Sequence, residues 1–320
     1  MAQAAPGSPG LLWTVSSKAD GSHQGSVVSA LDGASPLQLQ RLGPSDPLVI
    51  STPGTLELSG ALNPGELELR AAAYNPAAGT TLEASGRLQL TDLGSKPLDL
   101  GGLTLAAPEL RLQLLNGGLV VVDSPMVALD AAGPSFSLTN HYEGTSLIGG
   151  RLSAGTSGLS AAAGLVLAGL DTANGAVTVT AASGDLELGR IRQGRADSLT
   201  LQAPGGVVRD LAGSDASERS LRRLVVTSRD GLDLSSDELS RLSAVATGPD
   251  SRVRVRVSQG NELVVDTLVA PDAVMVQSGL AALRISQPAA LQAAAVDLAS
   301  LSRLTVDGCL LYTSDAADDM

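Results

Sequence analysis

Few residues in this sequence have the type and spacing that catalysis or metal binding requires. The two histidines, His23 and His141, lie far apart in loop-like segments, so we expect them to be structural or solvent-exposed rather than ligands or bases. Cys309 is the only cysteine, which excludes an intramolecular disulfide and a cysteine-rich zinc site. The sequence also lacks a Gly-x-Ser-x-Gly elbow, a phosphate-binding loop, a His-Glu-x-x-His pair and the glycine-aspartate nonapeptides that bind calcium in some solenoids. We therefore predict no catalytic residue, no cofactor and no bound metal.

Composition and charge narrow the classes of partner. The chain of 320 residues carries 21 basic and 33 acidic side chains, and its net charge of −12 repels nucleic-acid phosphates and anionic membrane surfaces. Only one Trp, three Tyr and one Phe occur, so stacking on nucleic-acid bases is not expected either. No apolar run reaches the roughly 18 residues that a membrane-spanning helix needs. We expect neither nucleic acid as a partner nor a membrane span.

The strongest pattern is an internal repeat of short apolar-x-apolar triplets, the period-2 signature of a strand with one buried face. In the second half of the chain the triplets form two interleaved series. The first series begins at Val177, Leu199, Leu224, Val253, Val274 and Val296, and the second at Leu186, Val207, Leu232, Leu263, Leu283 and Leu304. Both series lengthen at the same step, which indicates one coil of about 21 residues with an insertion rather than random spacing.

This repeat predicts an all-β fold, a right-handed parallel β-helix (β-solenoid) with coils of about 21 residues. Turn residues separate the triplets, as at Asp230-Gly231 and Gly260-Asn261. The alternative is an antiparallel sandwich array, which needs longer strands joined in pairs by tight hairpins. We expect the six residues that begin the first series to stack on one another as a single buried column.

Patterning divides the chain into four segments. Residues 1–50 form a poorly patterned N-terminal segment, residues 51–164 form irregular coils, and residues 165–308 form regular coils. Residues 309–320 break the pattern abruptly and resemble the translated sequencing-adapter read-through found in metagenomic reading frames. We interpret residues 309–320 as a non-native tail and the chain as a fragment.

One segment of the regular coils carries a helix signal. Ser235 and Glu238 have the spacing of a capping box, and Leu239 and Leu242 follow on one side of the helix that the box would begin. The segment coincides with the insertion that lengthens one coil. We therefore predict one or two helical turns there, at a corner of the solenoid.

Three runs carry a resemblance to a known family. The run from Gly231 to Leu242 contains an L-x-L-x-x-x-E-L-x-R-L element, and the runs 175–188 and 198–207 are glycine-containing strand repeats. Over residues 165–307 the sequence resembles bacterial large exoproteins of the filamentous haemagglutinin type. The resemblance implies a secreted β-solenoid shaft used in attachment and exported by two-partner or autotransporter secretion. The family's secretion domain and anchor are not among the matching residues.

The middle residues of the triplets are expected to face outward, where an enzyme site would lie. They are Thr178, Thr200, Val225, Arg254, Met275 and Asp297 in the first series, and Glu187, Val208, Asp233, Val264, Arg284 and Thr305 in the second. A glycosidase needs two carboxylates about 5 to 9.5 Å apart. Neither row places two acids on adjacent coils, so we expect no enzyme. A β-helix carbohydrate-active enzyme, either a polysaccharide lyase or a hydrolase, is the alternative.

Some outward positions are apolar although the surface of a solenoid should be polar. Val225, Val264 and Met275, together with Arg254, form a candidate interaction strip for a partner or a neighbouring shaft. The alternative is that insert loops fold over these residues.

The arginines at positions 252, 254 and 256 alternate along one strand and predict a solvated face, with contact to acidic glycans as the second interpretation. Taken together, these patterns predict a structural or adhesive shaft segment of a large bacterial protein that is secreted or located at the cell surface. Its expected partners are host or cell-surface glycans or proteins, with lateral self-association between shafts as a further interaction.

Overall fold

The computed structural model describes residues 48–60, 65–76, 79–194, 198–286 and 291–307, together with six short strands before residue 48. Parallel strands stack as a β-solenoid whose coils repeat about every 21 residues, which confirms the predicted fold class. Within the described residues the only helical element is a 3-10 turn at Ala216–Glu218. The predicted tail, residues 309–320, and most of the N-terminal segment 1–50 lie outside the described residues.

The first six strands are short and pair antiparallel. They are β1 (Ala2–Gln3), β2 (Trp13–Thr14), β3 (Ser17–Lys18), β4 (Ser22–His23), β5 (Ser26–Ala30) and β6 (Gln38–Gln40), and they precede β7 (Leu48–Gly60). β6 pairs antiparallel with the first half of β7, and β5 pairs antiparallel with its second half. These two strands cover the outer edge of the first coil, so that edge offers no open row of backbone groups to another chain.

The strands from β8 onward pair in parallel. They are β8 (Leu67–Pro76), β9 (Thr80–Glu83), β10 (Arg87–Asp92), β11 (Leu98–Ala106), β12 (Glu109–Leu114), β13 (Gly118–Asp123), β14 (Met126–Asn140), β15 (Ser146–Ala161), β16 (Leu165–Thr172), β17 (Ala176–Ala181), β18 (Leu186–Gln193), β19 (Ser198–Ala203), β20 (Val207–Asp210), β21 (Arg219–Ser228), β22 (Gly231–Ser236), β23 (Glu238–Ala246), β24 (Arg252–Val257), β25 (Glu262–Val269), β26 (Ala273–Ser278), β27 (Ala282–Ile285), β28 (Leu291–Gln292), β29 (Ala295–Ser300) and β30 (Leu304–Val306). A parallel stack of this kind makes each coil depend on its two neighbours for its backbone hydrogen bonds.

The coils form two main parallel ladders, and two further short parallel pairings join β18 to β21 and β25 to β28. The first ladder contains β10, β12, the first halves of β14 and β15, β16, β18, β20, β22, β24, β26 and β29. The second ladder contains β11, β13, the second halves of β14 and β15, β17, β19, β21, β23, β25, β27 and β30. The long strands β14 and β15 therefore belong to both ladders.

The core follows from strict alternation along short strands. In β24 the three valines are buried and the three arginines face outward, because successive side chains of a strand point to opposite faces. Parallel pairing then places each buried residue over its counterpart, as in the stack of Leu234, Val255 and Val276. Each such side chain contributes roughly 1.5 to 3 kcal/mol through burial. The buried residues form one apolar cluster that extends from Ile50 to Ile285.

The predicted single column of six residues is wrong in its register. Val177, Leu199 and Leu224 stack on successive coils of the second ladder, but the next member of that column is Leu242. In contrast, the later members of the predicted column belong to the first ladder, where Val253 stacks on Leu232. The prediction joined the N-terminal part of one column to the C-terminal part of the other. Both ladders have the same repeat length, so triplet spacing alone does not separate them.

The helix predicted over 235–242 is also wrong, because this segment forms the end of β22 and most of β23. The Glu238 carboxylate accepts a hydrogen bond from the Ser220 hydroxyl at 3.1 Å instead of closing a capping box. Leu239 and Leu242 are buried in β23, which pairs in register with β21. The neighbouring coil supplies a full ladder of backbone partners, and this tertiary contribution outweighs the local helix signal. The insertion that lengthens one coil is instead residues 211–218, between β20 and β21 of the preceding coil.

Candidate interaction surface

Outward side chains of the first ladder alternate in charge from coil to coil. One row, termed the charged row, consists of Glu187, Arg209, Asp233 and Arg254, which occupy directly paired positions. Arg209 Nη2 lies 2.7 Å from Glu187 Oε1, and Arg254 Nη1 lies 3.6 Å from Asp233 Oδ2. The hydrogen bond with Glu187 raises the pKa of the Arg209 guanidinium. Opposite charges of the charged row therefore alternate over four coils, and ion pairs join the first two coils and the last two.

A second row of the same ladder repeats this arrangement. Asp130, Arg151, Asp171 and Arg192 are paired on four consecutive coils. Arg190 Nη1 also lies 3.0 Å from Asp171 Oδ1. Exposed pairs of this kind contribute about 0.2 to 1 kcal/mol each. Within this row, each charged residue therefore has a residue of opposite charge at the paired position of the neighbouring coil.

These pairs bear on the enzyme alternative, because carboxylates that act on a glycan must flank an open groove. Asp185 Oδ2 and Glu187 Oε1 lie 3.1 Å and 2.7 Å from the same atom, Arg209 Nη2. Both carboxylates are therefore ion-pair partners of Arg209. The two carboxylates of a glycosidase instead flank the sugar that lies between them.

The four residues of the predicted interaction strip do not lie in one row. Arg254 and Met275 are direct neighbours in the first ladder, and both are half-buried. Val225 is half-buried on β21 of the second ladder, and Val264 lies on β25 between two arginines of adjacent coils. The structure thus brings Arg254 and Met275 together and places Val225 and Val264 elsewhere.

The observed pairing of the strands also decides two other predictions about which residues face outward. Val208 was expected to face outward, but it is fully buried, and Arg209 occupies the outward position of that coil. The alternating arginines of β24 do face outward and are engaged in ion pairs. Arg252 pairs with Asp272, and Arg256 Nη1 lies 3.8 Å from Asp233 Oδ1. This part of the solenoid is a solvated surface with both signs of charge.

The sequence analysis did not identify that part of the second ladder has an uncharged outer surface, unlike the charged rows of the first ladder. From β14 to β19, and at the last two outward positions of β21, the described outward positions carry hydroxyl, amide or small apolar groups and no charge, and we call this surface the hydroxyl face; it ends at Arg223. Its residues are Ser135, Ser137, Thr139, Thr156, Gly158, Ser160, Ala176, Thr178, Thr180, Ser198, Thr200, Gln202, Val225 and Thr227. Thr180 Oγ1 donates to Gln202 Oε1 at 3.0 Å, which links two coils. The available signal in the sequence was the Thr178-Val179-Thr180 triplet, whose two outward residues are both hydroxylated.

An apolar surface was missed in the first ladder. Met126 and Leu147 are paired on adjacent coils and are 45% and 37% exposed. Val166 continues their row on the next coil and is followed by Glu187. Alternation along β14 and β15 places these side chains outward, although their apolar character suits the core.

A buried cation holds the inserted residues 211–218 against the coil. Arg219 is 0% exposed, and its guanidinium donates to Ser235 O at 2.6 Å, Leu188 O at 3.1 Å and Ser214 Oγ at 2.8 Å. Asp210 Oδ1 lies 3.3 Å from Arg219 Nη2. Burial raises the pKa of the Asp210 carboxyl, and the charge of Arg219 offsets only part of that effect.

The remaining chemistry-bearing residues are isolated. His141 is exposed, while the side chain of His23 and the whole of Cys309 lie outside the described residues. Within the described part of the chain, no three His, Cys, Asp or Glu side chains are grouped so as to hold a metal ion. In the same residues, no helix has the length and apolar character needed to cross a membrane.

Comparisons with known proteins found no matching family model, curated protein or solved structure.

Proposed function

We propose that this chain is a shaft segment of a large secreted bacterial surface protein, a non-catalytic spacer whose outer surface serves attachment. The observation that carries the proposal is the single buried apolar cluster, which extends from Ile50 to Ile285 through the intervening coils. A continuous core of this kind makes neighbouring coils stabilise one another, so the segment resists bending as a unit.

Features outside the core support the same role. Ion pairs of the charged row join Glu187 to Arg209 and Asp233 to Arg254 on adjacent coils, and Arg219 fixes the inserted residues against the adjacent coil. Strands β5 and β6 cover the edge of β7. The resemblance of the run 231–242 to large exoproteins supports a location outside the bacterial cell or at its surface.

The proposal predicts a rigid particle, which single-molecule FRET can measure. Dyes attached to Gln89→Cys and Asp297→Cys, in a Cys309→Ser background, are separated by ten strand spacings of about 4.8 Å, or about 48 Å along the axis. A shaft gives one narrow transfer efficiency. A broad or multiple distribution in the folded protein contradicts the proposal.

Incubation with polysaccharides separates the shaft from a lyase or hydrolase. The engagement of Asp185 and Glu187 with Arg209 favours the shaft. We expect no new reducing ends and no unsaturated sugar products from a panel of neutral and acidic polysaccharides. Depolymerisation that copurifies with the chain through two chromatographic steps would establish the enzyme instead.

A further inference from the structure

An open trough lies at the N-terminal end of the hydroxyl face and extends beyond it. Its floor is one outward row of the second ladder, consisting of Asp99, Leu119, Ser137, Gly158 and Thr178 on five consecutive coils. The cavity has a volume of about 520 Å³, within the range of about 300 to 1,000 Å³ for small-molecule sites. Four strand spacings separate its ends, so the floor is about 19 Å long. The trough therefore suits an elongated ligand that lies parallel to the solenoid axis.

The depth of the trough comes from Gly158. A Cβ placed on this residue meets only Ser137 Oγ, at 3.8 Å, so the space above the floor is open. Leu119 is 39% exposed and offers an apolar surface at one end. Hydroxyls of Ser135 and Thr156 also line the trough, beside the floor.

Polar groups in the trough retain hydrogen-bonding capacity. Asp99 is exposed, and its Oδ1 accepts one hydrogen bond from Gly101 N at 2.9 Å, whereas a carboxylate has about four acceptor sites. The outward hydroxyls of Ser137 and Thr178 lie on the same floor.

The lining selects against several classes of ligand. It contains no Lys, Arg or His, so phosphate and sulfate groups gain no counter-charge, and Asp99 repels them. A peptide that binds by strand addition needs a free sheet edge, but the backbone groups here are already paired with both neighbouring coils. What remains is an uncharged ligand with many hydroxyls of its own and some apolar C–H surface.

We propose that the trough binds a linear neutral oligosaccharide along the row from Asp99 to Thr178. The proposal rests on the adhesive part of the function proposed above and specifies its ligand class. The Asp99 carboxylate and the Ser and Thr hydroxyls hydrogen-bond to sugar hydroxyls, and Leu119 packs against a C–H face. Binding at one trough is weak because no aromatic ring is exposed in the lining for a sugar to stack on.

Saturation-transfer NMR tests this proposal with defined probes. Neutral cello-, manno-, xylo-, malto- and N-acetylchito-oligosaccharides are compared with a sulfated oligosaccharide of similar length. We expect signal transfer to at least one neutral series and none to the sulfated probe. Absence of transfer to every neutral series, or equal transfer to the sulfated probe, overturns the proposal.

A matched pair of variants locates the binding. Gly158→Gln fills the floor of the trough, while Ser160→Gln introduces the same side chain two residues along β15, outside the trough. We expect Gly158→Gln to weaken binding by roughly tenfold or more, because the ligand loses several hydrogen bonds at once, and Ser160→Gln to leave it within about twofold. Equal effects of the two variants place the ligand elsewhere and overturn the proposal.

The result of the glycan-binding test is independent of the result of the FRET measurement on the shaft. If no neutral glycan binds while the FRET distribution stays narrow, the trough proposal fails and the shaft proposal stands. If a glycan binds in the trough of a chain that proves flexible, the shaft proposal fails and the glycan site stands.

Discussion

Leu242 stacks directly on Leu224 of the preceding coil, and both side chains are fully buried. This contact sets the register of the second ladder on the coil that follows the inserted residues 211–218. It also forces Val253 into the first ladder, where it stacks on Leu232. The composition of each outer surface follows from this register, including the charged row and the hydroxyl face.

Paired cysteines test this register directly. Val225 and Ser243 are paired outward residues, and adjacent strands lie about 4.8 Å apart, within the Cα distance range of about 4.4 to 6.8 Å for a disulfide. In a Cys309→Ser background, we expect Val225→Cys with Ser243→Cys to cross-link readily under mild oxidation. Val225→Cys with Arg254→Cys, the pair that a single column would make neighbours, should remain reduced. Peptide mapping by mass spectrometry measures both, and a bond only in the second pair contradicts the register.

Substitutions in β24 test which side chains face the core. Val255→Asp places a carboxylate in a fully buried position between Leu234 and Val276, and we expect it to lower the free energy of unfolding by several kcal/mol. Arg254→Ser removes only an exposed pair with Asp233 and should change the free energy by about 1 kcal/mol or less. Urea unfolding followed by circular dichroism compares the two. Similar losses at both positions would mean that the inward and outward assignments are wrong.

Two aspartates should affect stability with opposite dependence on pH. Burial raises the folded-state pKa of Asp210 above its ordinary value of 3.8, so protonation favours the folded state. Its contribution is fully present below pH 3.8 and is lost as the pH rises through the folded-state pKa. We therefore expect the stability of the wild type relative to Asp210→Asn to fall as the pH rises above 3.8.

Asp266 provides the comparison with Asp210, because its folded-state pKa is shifted in the opposite direction. Its hydrogen bonds with Arg241, one of which joins Arg241 Nη2 to Asp266 Oδ1 at 2.9 Å, lower its pKa below 3.8. Its contribution is present above pH 3.8 and is lost as the pH falls through the lower folded-state pKa. The stability of the wild type relative to Asp266→Asn should therefore fall in acid. Thermal unfolding over a pH series measures both differences, and slopes of the same sign would contradict the assignment.

The charged row should respond to reversal of one charge. Arg209→Glu places three acids, at positions 187, 209 and 233, on consecutive coils, where like charges repel. We expect a loss of about 1 kcal/mol or more at low salt, which shrinks in about 1 M salt because exposed charges are screened. The control is Arg209→Gln, which removes the attraction without adding repulsion and should cost about 0.2 to 1 kcal/mol. A salt-independent loss would indicate a packing effect rather than an electrostatic one.

Much of the surface organisation could not be predicted from the sequence. The trough depends on Gly158 lying between Ser137 and Thr178, residues about 20 positions away on either side. The alternation of Arg209 with Glu187 and Asp233 also becomes visible only when the coils are aligned. Because the predicted rows crossed between ladders after Leu224, they separated residues that are neighbours and joined residues that are not.

The sequence alone determined most of the strands, the coil length and, on strands such as β24 with its alternating Arg and Val residues, the side that is buried. These features are local, because the pleat sends successive side chains to opposite faces whatever the partner strand is. Only the tertiary structure decided which coil lies against which, and that the capping-box segment at Ser235 joins a ladder as strand. The reason is that register depends on the lengths of the corners and on backbone pairing with a coil about 21 residues away, and neither is encoded in a short stretch of sequence.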